Sequence, residues 1–133
     1  VVHRRQYTDM EPKPEVTRFA ERTVRGRDDH GEDEVVTIWI DRRPGALWSV
    51  GRAINLAHRE TSLARPEDEI WSGYELSDAT RAANEALESD LDASEDNDDH
   101  NRMLRPFTDT ELRQHVDEAR CRQRFRTRLL RRA

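Results

Sequence analysis

The sequence is poor in the residue types that build covalent and cofactor sites. It contains one cysteine, Cys121, and five glycines, and of its 23 basic residues only Lys13 is a lysine. A single cysteine excludes an internal disulfide and argues against a structural zinc site. The few glycines form neither a phosphate-binding loop nor a nucleophile elbow. We therefore expect no catalytic residues, no cofactor and no bound metal, and we interpret the protein as non-enzymatic.

Long apolar runs are also missing. No stretch has the length needed to cross a bilayer, and the N-terminal residues lack the apolar core of a signal peptide. Together with the single cysteine, this predicts a cytoplasmic protein without a membrane partner. Because 34% of the residues are apolar and 38% are charged, we expect a modest core under a very polar surface.

The densest apolar pattern lies in residues 35–54. Val36, Ile38 and Ile40 alternate with residues of another character, as in a strand with two unlike faces. Pro44-Gly45 is typical of a chain reversal. The stretch 47–54 resumes the extended pattern, with Gly51 predicted to mark a bulge or a close backbone approach. Strands are also predicted at 16–24 and 70–76.

The chain therefore predicts an α+β fold. We expect an antiparallel meander of three or four strands, in chain order, with two helices packed on one face. Residues 1–14 are predicted to form an extended arm, and residues 15–133 a single domain. Within that domain we place the sheet in 15–75, a helix in 77–92, an acidic loop in 93–101 and a basic helix in 109–131.

The caps and the core follow from the same pattern. Ser77 or Asp78 is the predicted N-cap of the first helix, and Thr108 with Glu111 forms a capping box for the last one. The predicted core consists of Phe19, Val36, Ile38, Ile40, Trp48, Val50, Ile54, Ala83, Leu87, Leu112 and Val116. Trp39 is expected on the opposite side of the sheet, where its exposure would mark a binding surface.

The charges are strongly segregated along the chain. Residues 61–100 carry 13 acidic side chains against two basic ones, whereas residues 119–133 carry seven arginines and no acid. One interpretation is that the acidic segment neutralises the basic helix, within one molecule or between two. The odd positions from Asp90 to Asp98 also resemble a calcium loop, but the required glycine and bidentate glutamate are absent. We interpret this acidic run as a solvated loop.

The last helix has two apolar stripes and one basic ridge. Leu112, Val116, Ala119 and Leu130 share one face, whereas Cys121, Phe125 and Leu129 lie roughly opposite. A third face carries the ridge of Arg113, Arg120, Arg124 and Arg131, within about 40° of one another. Cys121 is interpreted as a packing residue beside Phe125, in preference to a thiolate activated by its arginine neighbours.

These features support two main functional hypotheses. The first is a small intracellular binding module that acts through protein contacts and self-associates, with Cys121, Phe125, Leu129 and Trp39 at the interface. The alternative is nucleic-acid binding through the basic ridge, since arginine binds phosphate oxygens well. A third hypothesis treats the acidic segment as a mimic of nucleic acid that faces a basic partner.

Overall fold

A computed structural model describes residues 16–94 and 98–132, the last ten of these by their backbone. The strands are β1 (Thr17–Arg27), β2 (Asp33–Arg43), β3 (Leu47–Ile54) and β4 (Glu69–Gly73). The helices are α1 (Leu76–Ala93), α2 (Asp99–Arg102) and α3 (Asp109–Arg132). Two short 3₁₀ turns, Leu56–His58 and Pro66–Asp68, lie between β3 and β4. The predicted arm, 1–14, lies outside the described residues.

The four strands form one antiparallel sheet in the order β1-β2-β3-β4, which confirms the predicted meander and the α+β class. The β2–β3 reversal lies where Pro44-Gly45 predicted it. Arg43 pairs with Leu47, and Gly45 and Ala46 take positive φ values of 79° and 64° inside the turn. Glycine adopts this left-handed conformation without a steric penalty.

The main core lies between one sheet face and helices α1 and α3. An irregularity between Arg18 and Ala20 allows the neighbours Phe19 and Ala20 to join the same core. The ring of Phe19 meets that of Trp48 edge-on, with centroids 5.2 Å apart. Most of the predicted core residues are buried, but Ile54, at the end of β3, is 45% exposed. That part of the prediction is wrong, because Ile54 lines an open cavity between the end of β3 and the end of α1.

Helix α1 differs from its prediction at its start. It begins at Leu76, after Glu75, and no side chain caps it, so neither Ser77 nor Asp78 is the N-cap. Its buried residues include Ala79, Ala83 and Leu87. The small side chains of Ala79 and Ala83 permit the close approach between helix and sheet that the alanine-rich sequence predicted.

Trp39 does not form an exposed surface, which corrects the sequence-based expectation. It alternates with the core residues Ile38 and Ile40 and is absent from their cluster, yet only 2% of it is exposed. The guanidinium of Arg18 covers its ring at 4.7 Å, and the ring lies directly against Gly51 on β3. Trp39 is therefore the centre of a second buried layer and has no accessible face to offer a partner.

The described residues of the predicted acidic loop, 93–101, also differ from the solvated loop that the sequence predicted. This segment ends in the short helix α2, and the side chain of Asn101 is buried against β1. The Asn101 amide donates to the carbonyl of Arg25 and accepts from its N–H, at 2.6 and 2.9 Å. His100 Nε2 lies 2.7 Å from the carbonyl oxygen of Thr23. Because β1 is an edge strand, these contacts occupy backbone groups that would otherwise be open.

Candidate anion site at the C-terminal helix

The first half of α3 is fixed to the domain. Leu112 is fully buried and Val116 packs against the core cluster, while Thr108 Oγ1 accepts the N–H of Glu111 at 3.2 Å. The carboxylate of Glu111 binds Arg22 of β1, at 2.9 and 3.2 Å, as part of this anchoring. Thr108 is thus the capping residue, as predicted, but among the described bonds the Glu111 carboxylate binds Arg22 and does not reach back to the Thr108 N–H, so only half of the predicted capping box is present.

Arg22 anchors the chain just before α3 as well. Its guanidinium donates to the carbonyl oxygens of Arg105 and Pro106 and lies 4.6 Å from the centroid of Phe107. Asn84 of α1 binds both backbone groups of Phe107, at 2.7 and 2.9 Å. The start of α3 is consequently held by a strand and a helix together, and this sets the direction in which its second half runs.

Beyond Val116 the helix loses contact with the core. Every residue from Asp117 to Arg122 is exposed, while the helix as a whole is about 36 Å long. Its exposed residues lie beside the end of the sheet where β1 begins and β2 ends. A groove of about 260 Å³ lies there, between the helix and the sheet.

The groove has an apolar floor and a basic rim. Its apolar lining residues are Phe19, Val116 and Ala119, which we call the floor; Phe19 is only 8% exposed, so Val116 and Ala119 supply most of the accessible apolar surface. Arg42, from the end of β2, joins Arg120, Arg122 and His115 of α3 on the rim. The His115 ring packs on Phe19, with centroids 5.2 Å apart. A positively charged rim over an apolar floor suits a ligand that has an anionic part and an apolar part.

Arg42 is held in place at this rim. Its Cζ lies 4.3 Å from the centroid of the Trp48 ring, in a cation–π contact. Burial of the guanidinium lowers the pKa of Arg42 from its usual value, and the positive charge of Arg120 lowers it further. The two cations therefore repel each other across the groove, and an anion placed between them would relieve that repulsion.

The acidic segment does not neutralise these arginines within the described side chains. Asp68 pairs with Arg59, Glu69 with Arg43 and Asp90 with Arg52. In contrast, Arg113, Arg120 and Arg122 have no described carboxylate oxygen within 4.0 Å. These three arginines are therefore outside ion-pair contact with the described carboxylates, although the exposed acids Asp117 and Glu118 lie beside them in the sequence.

The structure places only some of the predicted site residues. Arg113, Arg120 and Cys121 are exposed on α3, whereas the side chains of Arg124, Phe125, Leu129 and Arg131 lie outside the described ones. Trp39 belongs to the buried layer on the other face of the sheet and does not line the groove. Arg42, Arg122 and His115 were missed. Arg42 carries no local signal, because only the tertiary packing of α3 brings the end of β2 beside it.

The remaining described residues supply no metal or membrane feature. Among them, no three His, Cys, Asp or Glu side chains are arranged to hold a metal ion. Over residues 16–94 and 98–132, no helix has both the length and the apolar character that a membrane crossing requires.

Comparison with known proteins adds no relative. No protein-family model, no curated protein and no solved structure matches the chain at a significant level.

Proposed function

We propose that the protein is a non-enzymatic module that binds the phosphate groups of nucleic acid through the exposed part of α3. The observation that carries this proposal is the rim formed by Arg42 and Arg120, which combines repelling cations with no described carboxylate partner. Guanidinium groups bind phosphate oxygens through two parallel hydrogen bonds. Several of them along one helix face give an affinity that rises steeply as salt falls.

The acidic segment limits this affinity. The chain has a net charge of −5, so its overall field repels a polyanion while α3 attracts it locally. We therefore expect binding that is weak at physiological salt and strong at low salt.

The test is fluorescence anisotropy of labelled DNA and RNA at several salt concentrations. The variant replaces Arg113, Arg120, Arg124 and Arg131 by glutamine. If each contacts one phosphate, the slope of log affinity against log salt falls by about four units. We expect at least a tenfold loss of affinity at low salt.

A matched control carries the same change in charge elsewhere. Glutamine replaces four other arginines that are exposed in the structure: Arg25, Arg81, Arg102 and Arg105. This control is expected to bind within about threefold of the unchanged protein, since exposed charges away from the site act only through a screened field. Equal losses in the two variants would reject the proposal.

Self-association through the second apolar stripe of α3 is the second candidate. It is favoured by the exposure of Cys121, the first residue of the stripe that continues in sequence with Phe125 and Leu129. Light scattering at micromolar concentrations should then report a dimer, and Phe125→Gln with Leu129→Gln should convert it to a monomer. A strict monomer in the unchanged protein would exclude this candidate. The cytoplasmic location expected from the single cysteine stays a prediction.

A further inference from the structure

We propose that the groove between α3 and the sheet holds one nucleotide of a single-stranded nucleic acid. Arg42 and Arg120 would bind its phosphate, and its base would lie on the floor formed by Phe19, Val116 and Ala119. This inference rests on the proposed nucleic-acid function. It adds a phosphate ligand from the sheet and a preference for single-stranded over duplex nucleic acid.

The two cations come from separate rigid elements. Arg42 is fixed by the β2–β3 ladder, where it pairs with Trp48, and by its own contact with the Trp48 ring. The backbone that carries Arg120 is fixed by the packing of Leu112 and Val116 at the start of α3. Since neither backbone segment needs to rearrange, the ordering entropy lost when a phosphate enters is mainly that of the exposed Arg120 side chain. An isolated α3 helix would lack Arg42, the second guanidinium donor, because that residue belongs to the sheet.

The apolar floor of the groove favours a single strand over a duplex. In a duplex the bases are stacked inside the helix, and a side chain on the protein surface meets mainly phosphates and sugars. The bases of a single strand are free to lie on apolar and aromatic side chains. A groove of about 260 Å³ is below the usual range for drug-sized ligands, which begins at about 300 Å³. Its size suits a single base with its phosphate.

Anisotropy with a labelled 12-mer of thymidine and with a 12-base-pair duplex tests both parts. The unchanged protein should bind the single strand at least fivefold more tightly than the duplex. Arg42→Gln should lower the single-strand affinity about tenfold and reduce its salt slope by about one unit. Arg42→Lys keeps the charge without the planar fork and should lose part of the affinity.

Arg43→Gln is the matched control, because Arg43 is adjacent in the same strand, points to the other face and pairs with Glu69. It should bind within about twofold of the unchanged protein. Circular dichroism melts of all three variants verify that each is folded. Equal binding by the Arg42 and Arg43 variants would overturn the assignment of Arg42 as a phosphate ligand. It would leave α3 as a helix that binds nucleic acid. A duplex bound as well as the single strand would overturn the role of the floor.

A titration with thymidine 5′-monophosphate examines the groove without the rest of α3. We expect saturable amide chemical-shift changes at Arg42, Val116 and Ala119, and none in Arg42→Gln. Absence of these shifts would overturn the inference even if the oligonucleotide binds. Failure of the unchanged protein to bind any oligonucleotide at low salt would instead reject the proposed function, and the inference with it.

Discussion

Gly51 permits the sheet to bury a tryptophan on the face away from the helices. It pairs with Trp39 in the β2–β3 ladder, and a Cβ built at Gly51 would lie 2.2 Å from the indole ring. The ring cannot move away easily, because it is almost fully buried and Arg18 also packs on it. We predict that Gly51→Ala destabilises the fold by about 2–3 kcal/mol through overpacking, measured by urea denaturation.

Gly26 supplies the control for this prediction. It is also a strand glycine, and a Cβ there would meet only Ser94 Oγ, at 3.7 Å. Gly26→Ala should therefore be neutral or slightly stabilising, since alanine restricts the unfolded chain more than glycine does. Equal losses of stability in the two alanine variants would contradict the prediction. The cause would then be a general intolerance of added side chains in the sheet, and the contact with Trp39 would not explain the result.

Asp68 makes stability depend on pH. Arg59 donates to both of its carboxylate oxygens, at 3.1 and 3.0 Å, and the N–H of Arg65 adds a bond of 2.8 Å. The Arg59 guanidinium and this backbone bond hold the pKa of Asp68 below its usual value. Because the folded pKa is lower than the unfolded one, of about 4, the stabilisation is present above that pH and is lost as the pH falls.

We predict that Asp68→Asn lowers the urea midpoint clearly at pH 6 and less at pH 3, where the unchanged protein has lost part of the same stabilisation. Asp78→Asn is the control, since the Asp78 side chain is half-exposed and lies 3.6 Å from Arg81. Exposed pairs of this kind contribute little, so this control should hardly shift the midpoint at either pH. A loss for Asp68→Asn that is the same at both pH values would contradict the assignment.

At the scale of elements, two asparagines join segments by imitating a backbone partner. Asn101 binds the N–H and the carbonyl of Arg25 on the edge strand β1, and Asn84 binds those of Phe107. Each amide thereby satisfies one donor and one acceptor that would otherwise need water. The first pair attaches α2 to β1, and the second attaches the segment before α3 to α1.

Hydrogen exchange separates these two attachments. Asn101→Ala should accelerate exchange of the Arg25 amide and leave that of Phe107 unchanged, whereas Asn84→Ala should do the reverse. Each variant is thus the control for the other, because local openings expose only the amides of the affected unit. Acceleration of both amides by either substitution would show instead that the two attachments open together.

The sequence predicted those elements whose patterns are local. The alternation of apolar residues placed β3 at the bounds that the structure has, and Gly51 was correctly expected at a bulge or close approach. Alternation cannot say what covers the second face of a sheet, so the burial of Trp39 was missed. The attachment of Asn101 was missed for a similar reason. Its polar neighbours indicated a solvated loop, and the partner that it binds is 76 residues away.

The candidate site was predictable only in part. The wheel of α3 identified Arg113 and Arg120, because the spacing of residues along a helix fixes the face on which they lie. It could not identify Arg42, which belongs to a strand and becomes relevant once Leu112 and Val116 dock α3 against β1. A site that spans two elements is specified by their packing, and neither element's sequence contains that information alone.

At the scale of the whole molecule, α3 divides into a structural half and an exposed half. Its described contacts with the core include those of Leu112, His115 and Val116, whereas residues 117–122 are exposed. Five of the seven arginines after Glu118 follow Arg122 in the sequence. Stability and nucleic-acid binding should therefore be separable along this one helix.

We predict that a chain ending at Arg122 melts within about 3 °C of the full chain, because the buried residues of α3 are retained. Its binding to nucleic acid should fall at least tenfold at low salt, since most of the basic side chains have been removed. Leu112→Ala is the opposite case. It leaves every arginine in place but removes a fully buried side chain, at a cost of about 2–5 kcal/mol, which corresponds to a melting temperature lower by more than about 6 °C. If the shortened chain melts as low as Leu112→Ala, the residues after Arg122 contribute to the core. The arginines among them would then be part of the folded domain, and the separation of the two halves of α3 would be wrong.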